Sequence, residues 1–154
     1  EERLQAIIVA GDRLRSELLR AIDGDAEAFE TVMAAYALPR ATPQEKEQRQ
    51  AAIQPALVVA TEAPLATARA CREVALLAAE LAETANPQTI SDAATAAVLA
   101  GAALQGAIFQ ARINLKSIKD GQYTEKTAFE ISKLLADTQA AQLRAQTALD
   151  QKLS

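Results

Sequence analysis

The sequence predicts an all-α fold, an up-and-down helical bundle of about five helices. Three observations carry this expectation. Roughly a quarter of the 154 residues are alanine, and most of the rest are Leu, Glu, Gln, Arg, Ile and Thr, mainly good helix formers. Gly and Pro number only five each, and β-branched residues never alternate with a period of two. Apolar residues instead recur at spacings of three and four, the mark of amphipathic helices.

The first segment, from about Glu1 to Asp23, places Leu4, Ile7, Ile8, Gly11, Leu14, Leu18, Leu19 and Ile22 on one stripe and charges on the other face. Gly24 is expected to end it as a left-handed C-terminal residue. Asp25 then serves as an N-cap for a short helix with Phe29, Val32, Met33 and Tyr36 on its apolar side, stopped by Pro39. Thr42-Pro43-Gln44-Glu45 is a capping box with proline at the first helical position. The helix it opens reaches about Thr84, with kinks or a break expected at Pro55 and Pro64. A fourth element opens at Thr89-Ile90-Ser91-Asp92 and continues to about Lys119. After the turn signal Asp120-Gly121, Thr124 is expected to cap a last helix running to about Asp150, with Ala128, Ile131, Leu135, Thr138, Gln142, Ala145 and Leu149 on its stripe.

Residues 93–111 carry no charge. At ~1.5 Å per residue this stretch is roughly 28 Å long, close to the thickness of a bilayer core. It is mostly Ala, Gly, Thr and Gln, which favours a helix buried all round in a bundle over a membrane span. Its small residues would let neighbouring helices, or a second subunit, approach closely.

Composition removes several chemistries. Without histidine there is no Ser-His-Asp triad and no His-ligated metal. The single cysteine, Cys71, permits no intrachain disulfide and no Cys-based zinc site. Acid–base work falls to Asp, Glu, Lys, Tyr or water. A net charge of −4 argues against a nucleic-acid partner. Polar residues cluster at both ends of the uncharged helix, Ser91 and Asp92 at its start, Arg112, Asn114 and Lys116 at its end. Taken alone, Asp92 reads as a carboxylate favoured by the helix N-terminus, and Arg112 and Lys116 as a cationic last turn.

In these same stretches the sequence resembles the formiminotransferase-cyclodeaminase C-terminal family, which includes stand-alone methenyltetrahydrofolate cyclohydrolases. The resemblance runs through Asp25-Ala26-Glu27-Ala28-Phe29, Val32 to Pro39, Ala51 to Leu57 and Ala63-Pro64-Leu65. It is strongest at Ile90-Ser91-Asp92-Ala93 and at Arg112-Ile113-Asn114-Leu115-Lys116-Ser117-Ile118. Nothing here matches the family's Thr-Pro-Gly-Gly-Gly-Ser-type segment, so residues 1–154 are expected to be one helical domain that lacks the family's first Gly-rich helix.

The resemblance implies folate one-carbon chemistry at the N5–N10 bridge. The substrate would be a tetrahydrofolate derivative, with no covalently bound cofactor and no metal. A catalytically inactive helical scaffold is the competing reading. Asp92, partly buried with a raised pKa, would carry the acid–base role, with Asp25 as the second carboxylate. Asn114 would orient the pterin or an attacking water. Arg112 and Lys116 would hold the anionic glutamate tail, and Ser91, next to Asp92, would be a further substrate contact. Asp92 and Arg112 lie about 30 Å apart along one straight helix, so a homodimer with shared sites is expected. A cytoplasmic location is expected, with no membrane and no nucleic acid as partner.

Overall fold

The computed structural model describes residues 2–84 and 86–154. Glu1, where the predicted first segment begins, lies outside the described residues. Among the described residues four helices form rather than five: α1 (Glu2–Ala37), α2 (Pro43–Thr84), α3 (Ile90–Leu115) and α4 (Gly121–Leu153). There is no strand among the described residues.

The missing boundary is at Gly24. No glycine has a positive φ, so Gly24 does not form the expected left-handed cap and the helix runs through it. Ile7, Leu14, Ala21, Ala28 and Ala35 recur every seven residues, and all are buried or half-buried. This stripe continues across Gly24 because α2 offers a partner along its whole length. Packing outweighs the roughly 1 kcal/mol that a glycine costs inside a helix. Asp25 is consequently an exposed mid-helix residue, not an N-cap.

The capping box forms as expected. Glu45 N–H donates to Thr42 Oγ1 at 3.2 Å, and Glu45 Oε2 accepts from the N–H groups of Thr42 at 2.8 Å and Ala41 at 2.7 Å. Those backbone donors hold the Glu45 carboxyl below its ordinary pKa. Pro55 and Pro64 both lie inside α2, which does not break. Thr89 occupies the N-cap of α3 without a side-chain cap bond. Asn86 Oδ1 organises that turn instead, accepting from Gln88 N–H and from both Thr89 N–H and its hydroxyl.

Helix α3 ends at Leu115 rather than Lys119. Ser117 and Ile118 N–H donate to the carbonyls of Asn114 and Leu115, and Ile118 turns inward onto Ile53, Ala56 and Leu57. Asp120, not Thr124, caps α4 through Tyr123 N–H at 3.0 Å, while the Thr124 hydroxyl donates to the Gly121 carbonyl. On α4 the buried face is Thr127, Ile131, Leu134, Thr138, Ala141, Ala145 and Ala148; the predicted Ala128 is exposed.

Helix α2 is the centre of the molecule and packs against the other three helices; α4 also packs against α3, whereas α1 rests on α2 alone among the described residues. One end of the α2–α3–α4 core is almost purely alanine (Ala75, Ala79, Ala82, Ala93, Ala97, Ala145), which allows close helix approach. The middle is filled by Leu65, Leu104, Ile108, Ile131 and Leu134 around Cys71. Burial in that apolar layer raises the Cys71 thiol pKa, which makes it unreactive.

Helices α2 and α4 run parallel in a fixed register. The Tyr123 hydroxyl donates to Glu62 at 2.9 Å, Arg69 pairs with Glu130 at 2.5 Å, and Arg144 pairs with Glu83 at 2.8 Å, each couple 61 residues apart in the chain. Arg72 adds a pair with Asp137 at 2.6 Å. Glu62 and Arg69 are seven residues apart and bond each other at 3.1 Å. The same heptad spacing therefore recurs on both helices, which sets their register.

Candidate functional site

Because α1 and α3 both flank α2 without packing on each other, a groove runs between them with α2 as its floor. It opens into two cavities. One, about 390 Å³, lies at the C-terminal end of α3 and is lined by Asp25, Phe29, Met33, Tyr36, Ala60, Ile113 and Asn114, among others. The other, about 400 Å³, lies at the opposite end and is lined by Ile7, Leu14, Val74, Leu77, Asp92 and Ala93, among others. Both fall within the range of small-molecule sites, and both are apolar with few polar groups.

The structure brings Asp25 and Asn114 together in the first cavity. Asp25 faces it from α1 because the continuous helix places residues 25, 28, 29, 32, 33 and 36 along one side. Asp92 is in the second cavity, some 22 residues from Asn114 along α3, roughly 33 Å away. It is exposed rather than partly buried. Ser91 is exposed beside it. Arg112, in the last turn of α3, and Lys116, its C-cap, are exposed and line neither cavity. Of the predicted six, Asp25 and Asn114 share one cavity, Asp92 lines the other, and Ser91, Arg112 and Lys116 line neither. Among the described residues, no three of His, Cys, Asp and Glu come together as metal ligands would.

Three features of the first cavity were not singled out from the sequence. Phe29, Met33 and Tyr36, which the sequence marks only as the apolar side of a short helix, wall the cavity and stay exposed. Arg49, from the first turns of α2, donates from Nε at 3.1 Å and Nη2 at 3.0 Å to the Tyr36 carbonyl. Its guanidinium also lies 5.3 Å from the Tyr36 ring centre. One side chain thus satisfies the end of α1, which has no basic residue in its own last turn, and fixes the aromatic wall. The third is the partner of Asn114, whose Nδ2 donates to the Ala60 carbonyl at 2.7 Å. The only hint in the sequence was Pro64, four residues after Ala60.

The uncharged helix α3 is not buried all round. Its inner side, Ala93, Ala97, Ala100, Leu104, Ile108 and Ala111, packs on α2 and α4. Its outer side leaves Val98 53%, Leu99 64%, Phe109 58% and Ile113 67% exposed. By length and composition it is the one helix among the described residues apolar enough to cross a membrane. Among the described residues only α2 and α4 cover it, which leaves that outer side open.

The sequence profile of the formiminotransferase-cyclodeaminase family matches residues 1–133. The chain belongs to that family. It is 41% identical to the methenyltetrahydrofolate cyclohydrolase of Methylorubrum extorquens over 140 residues, which cover 91% of this chain and 67% of that protein. It is 38% identical to the formimidoyltransferase-cyclodeaminase of Rattus norvegicus over 128 residues, 82% of this chain but 24% of that longer protein. The crystal structure of formiminotetrahydrofolate cyclodeaminase from Thermotoga maritima superimposes with a TM-score of 0.86 at 28% identity, covering 100% of this chain and 73% of its own. The family's all-helical architecture is therefore the one seen here.

Proposed function

We propose that this chain acts on the N5–N10 bridge of a tetrahydrofolate, as a methenyltetrahydrofolate cyclohydrolase or a formiminotetrahydrofolate cyclodeaminase. The observation that carries the reading is the pairing of Asp25 and Asn114 in one apolar cavity of a family member. The higher identity and coverage with the cyclohydrolase favour water addition over ammonia release.

The chemistry fits these residues. A flat reduced pterin needs apolar walls, and Phe29, Met33, Tyr36 and Ile113 supply them. In hydrolysis, water adds to the bridging carbon and loses a proton, and N5 takes a proton as its bond to that carbon breaks. In cyclisation, N10 attacks the formimino carbon and loses a proton, and ammonia departs with one. Each direction needs one group to accept a proton and one to return it. Asp25 takes the first role in the cavity. Asn114 has its Nδ2 committed to Ala60, which leaves Oδ1 to accept from the pterin or orient the water.

Asp92 is the second carboxylate, supplied by a second copy. The exposed stripe of α3 carries no charge from Ala93 to Ala111, and Ala102, Ala103 and Gly106 permit close approach. A two-fold copy laid antiparallel on it would set the Asp92 end of one chain against the Asn114 end of the other. Ser91 would come with Asp92, and Arg112 and Lys116 would hold the glutamate carboxylates at the rim. Such a homodimer needs neither membrane nor nucleic acid, and its single buried thiol suits the cytoplasm.

Loss of methenyltetrahydrofolate absorbance above the uncatalysed rate is the direct test. No turnover on either folate substrate would leave the inactive scaffold as the reading. Mixing Asp25→Asn with Asp92→Asn tests the shared site: mixed dimers each hold one intact site, so about a quarter of wild-type turnover should return. No recovery would place both carboxylates in separate roles within one chain.

A further inference from the structure

An α-helix has no spare donor for a carbonyl that loses its own. Within α2, the residue that would bond the Ala60 carbonyl is residue 64, and Pro64 has no N–H. Pro64, Thr61 and Leu65 are buried, so water is a poor substitute there. The other internal proline makes the contrast. Pro55 frees the carbonyl of Ala51, and both residues are exposed, so solvent can serve that carbonyl. The nearby Thr61 hydroxyl is already donating to the Leu57 carbonyl at 2.7 Å. The donor to Ala60 comes from another helix: Asn114 Nδ2, at 2.7 Å, from the last turn of α3.

We propose that Pro64 is a positioning residue of the groove, creating the buried acceptor that holds the Asn114 amide in one orientation with Oδ1 turned to the cavity. An asparagine amide is nearly symmetric in shape, so packing alone does not choose between its two faces. A carbonyl oxygen does, because it accepts only from Nδ2. Ala60 and Asn114 both line the cavity, so the bond lies at its floor. One turn further on, Gln54 fastens the segment after α3 to α2 in the reverse sense. Its Nε2 donates to the Ser117 carbonyl at 3.1 Å, and its Oε1 accepts from Lys119 N–H at 2.8 Å. The two amides join α2 to the end of α3 main chain to side chain, with Asn114 the one that faces the cavity. The part of this inference that concerns turnover rests on the folate reading; the hydrogen-bond coupling does not.

The test is a double-mutant cycle of Pro64→Ala and Asn114→Ala in the full chain. Alanine at 64 restores the N–H that competes for the Ala60 carbonyl. Pro64→Ala should therefore lower kcat about tenfold or more, and adding Asn114→Ala should lower it little further. In urea unfolding, the midpoint drop caused by Asn114→Ala should shrink by at least half in the Pro64→Ala background. If Asn114→Ala alone does not fold, folding of the double variant is the same coupling seen qualitatively. Equal effects of Asn114→Ala in both backgrounds, in kcat and in midpoint, would overturn the proposal, as would a double variant that fails to fold when Asn114→Ala alone folds. A wild-type chain without folate turnover would sink the folate reading, while the midpoint coupling would still decide the hydrogen-bond device.

Discussion

The two flanks of α2 are built on different principles. Toward α4 it meets a parallel partner in heptad register, with ion pairs at Arg69–Glu130, Arg72–Asp137 and Glu83–Arg144 outside and an alanine and leucine core inside. Toward α1 and α3 the same helix floors an open trough whose walls are exposed apolar side chains and whose polar groups are few: Asp25 and Asn114 at one end, Asp92 at the other. The closed flank pairs its charged side chains with one another across the seam. The open flank leaves apolar walls and a carboxylate unsatisfied, and such surfaces are kept for binding.

That contrast is sharpest if each flank can be damaged without harming the other. The largest effect is expected from Asp25→Asn. It should lower kcat by about 10²- to 10⁴-fold, yet shift stability by no more than about 0.5 kcal/mol, since Asp25 is exposed and in no ion pair. Steady-state turnover beside chemical denaturation measures both; a large stability loss would mean that α1 depends on this residue for folding. Next comes Ile131→Ala on α4, which is 2% exposed. It should cost about 2–5 kcal/mol and leave kcat per folded molecule close to wild type, because α4 lines neither groove cavity.

Gly24→Ala should stabilise by about 0.5–1 kcal/mol. A methyl group there meets nothing within 4 Å, and the backbone is helical. Destabilisation would show that the helix is interrupted at Gly24 in solution, where the sequence alone suggested that it ends. The smallest effect is the pH dependence of the α4 seam. Hydrogen bonding from Arg69 holds the Glu130 carboxyl below its ordinary value, so its contribution is present above about pH 4.3 and fades as pH falls through the depressed pKa. Burial, reinforced by Glu62, pushes the Tyr123 phenol up to about 12. Its contribution is whole below about pH 10 and fades as pH rises through 12. Each is expected to be under about 1 kcal/mol, because the groups are partly solvated. Unfolding midpoints should therefore be flat from about pH 4.3 up to the cysteine range at about 8.5, above which ionisation of the Cys71 thiol also lowers stability, and Tyr123→Phe should lessen the slope at the alkaline end.

Much of the fold was legible because helix formation is local. The capping box at Thr42 and Glu45 and the end of α2 at Thr84 stand where the sequence put them, since each depends on groups a few residues apart. Gly24 was misread because its outcome depends on α2, a partner invisible to local pattern. How the candidate site residues lie relative to one another was not legible. Asp25 and Asn114 meet only because α1 and α3 run side by side over α2, and Asp92 falls into the other cavity because α3 is straight and long. Phe29, Met33 and Tyr36 were legible as one apolar side, but periodicity reports which residues share a face, not whether another helix covers that face.

The sequence by itself determined an all-α chain without histidine whose short motifs resemble those of the formiminotransferase-cyclodeaminase family. These follow from composition, local propensity and short motifs, which act over a few residues. Only the tertiary structure decided that α1 is one helix, that α3 has an open apolar side, and that the Ala60 carbonyl freed by Pro64 is met by Asn114 54 residues away. Each of these depends on which helices touch, and that is set by the burial of stripes against distant partners rather than by any segment alone.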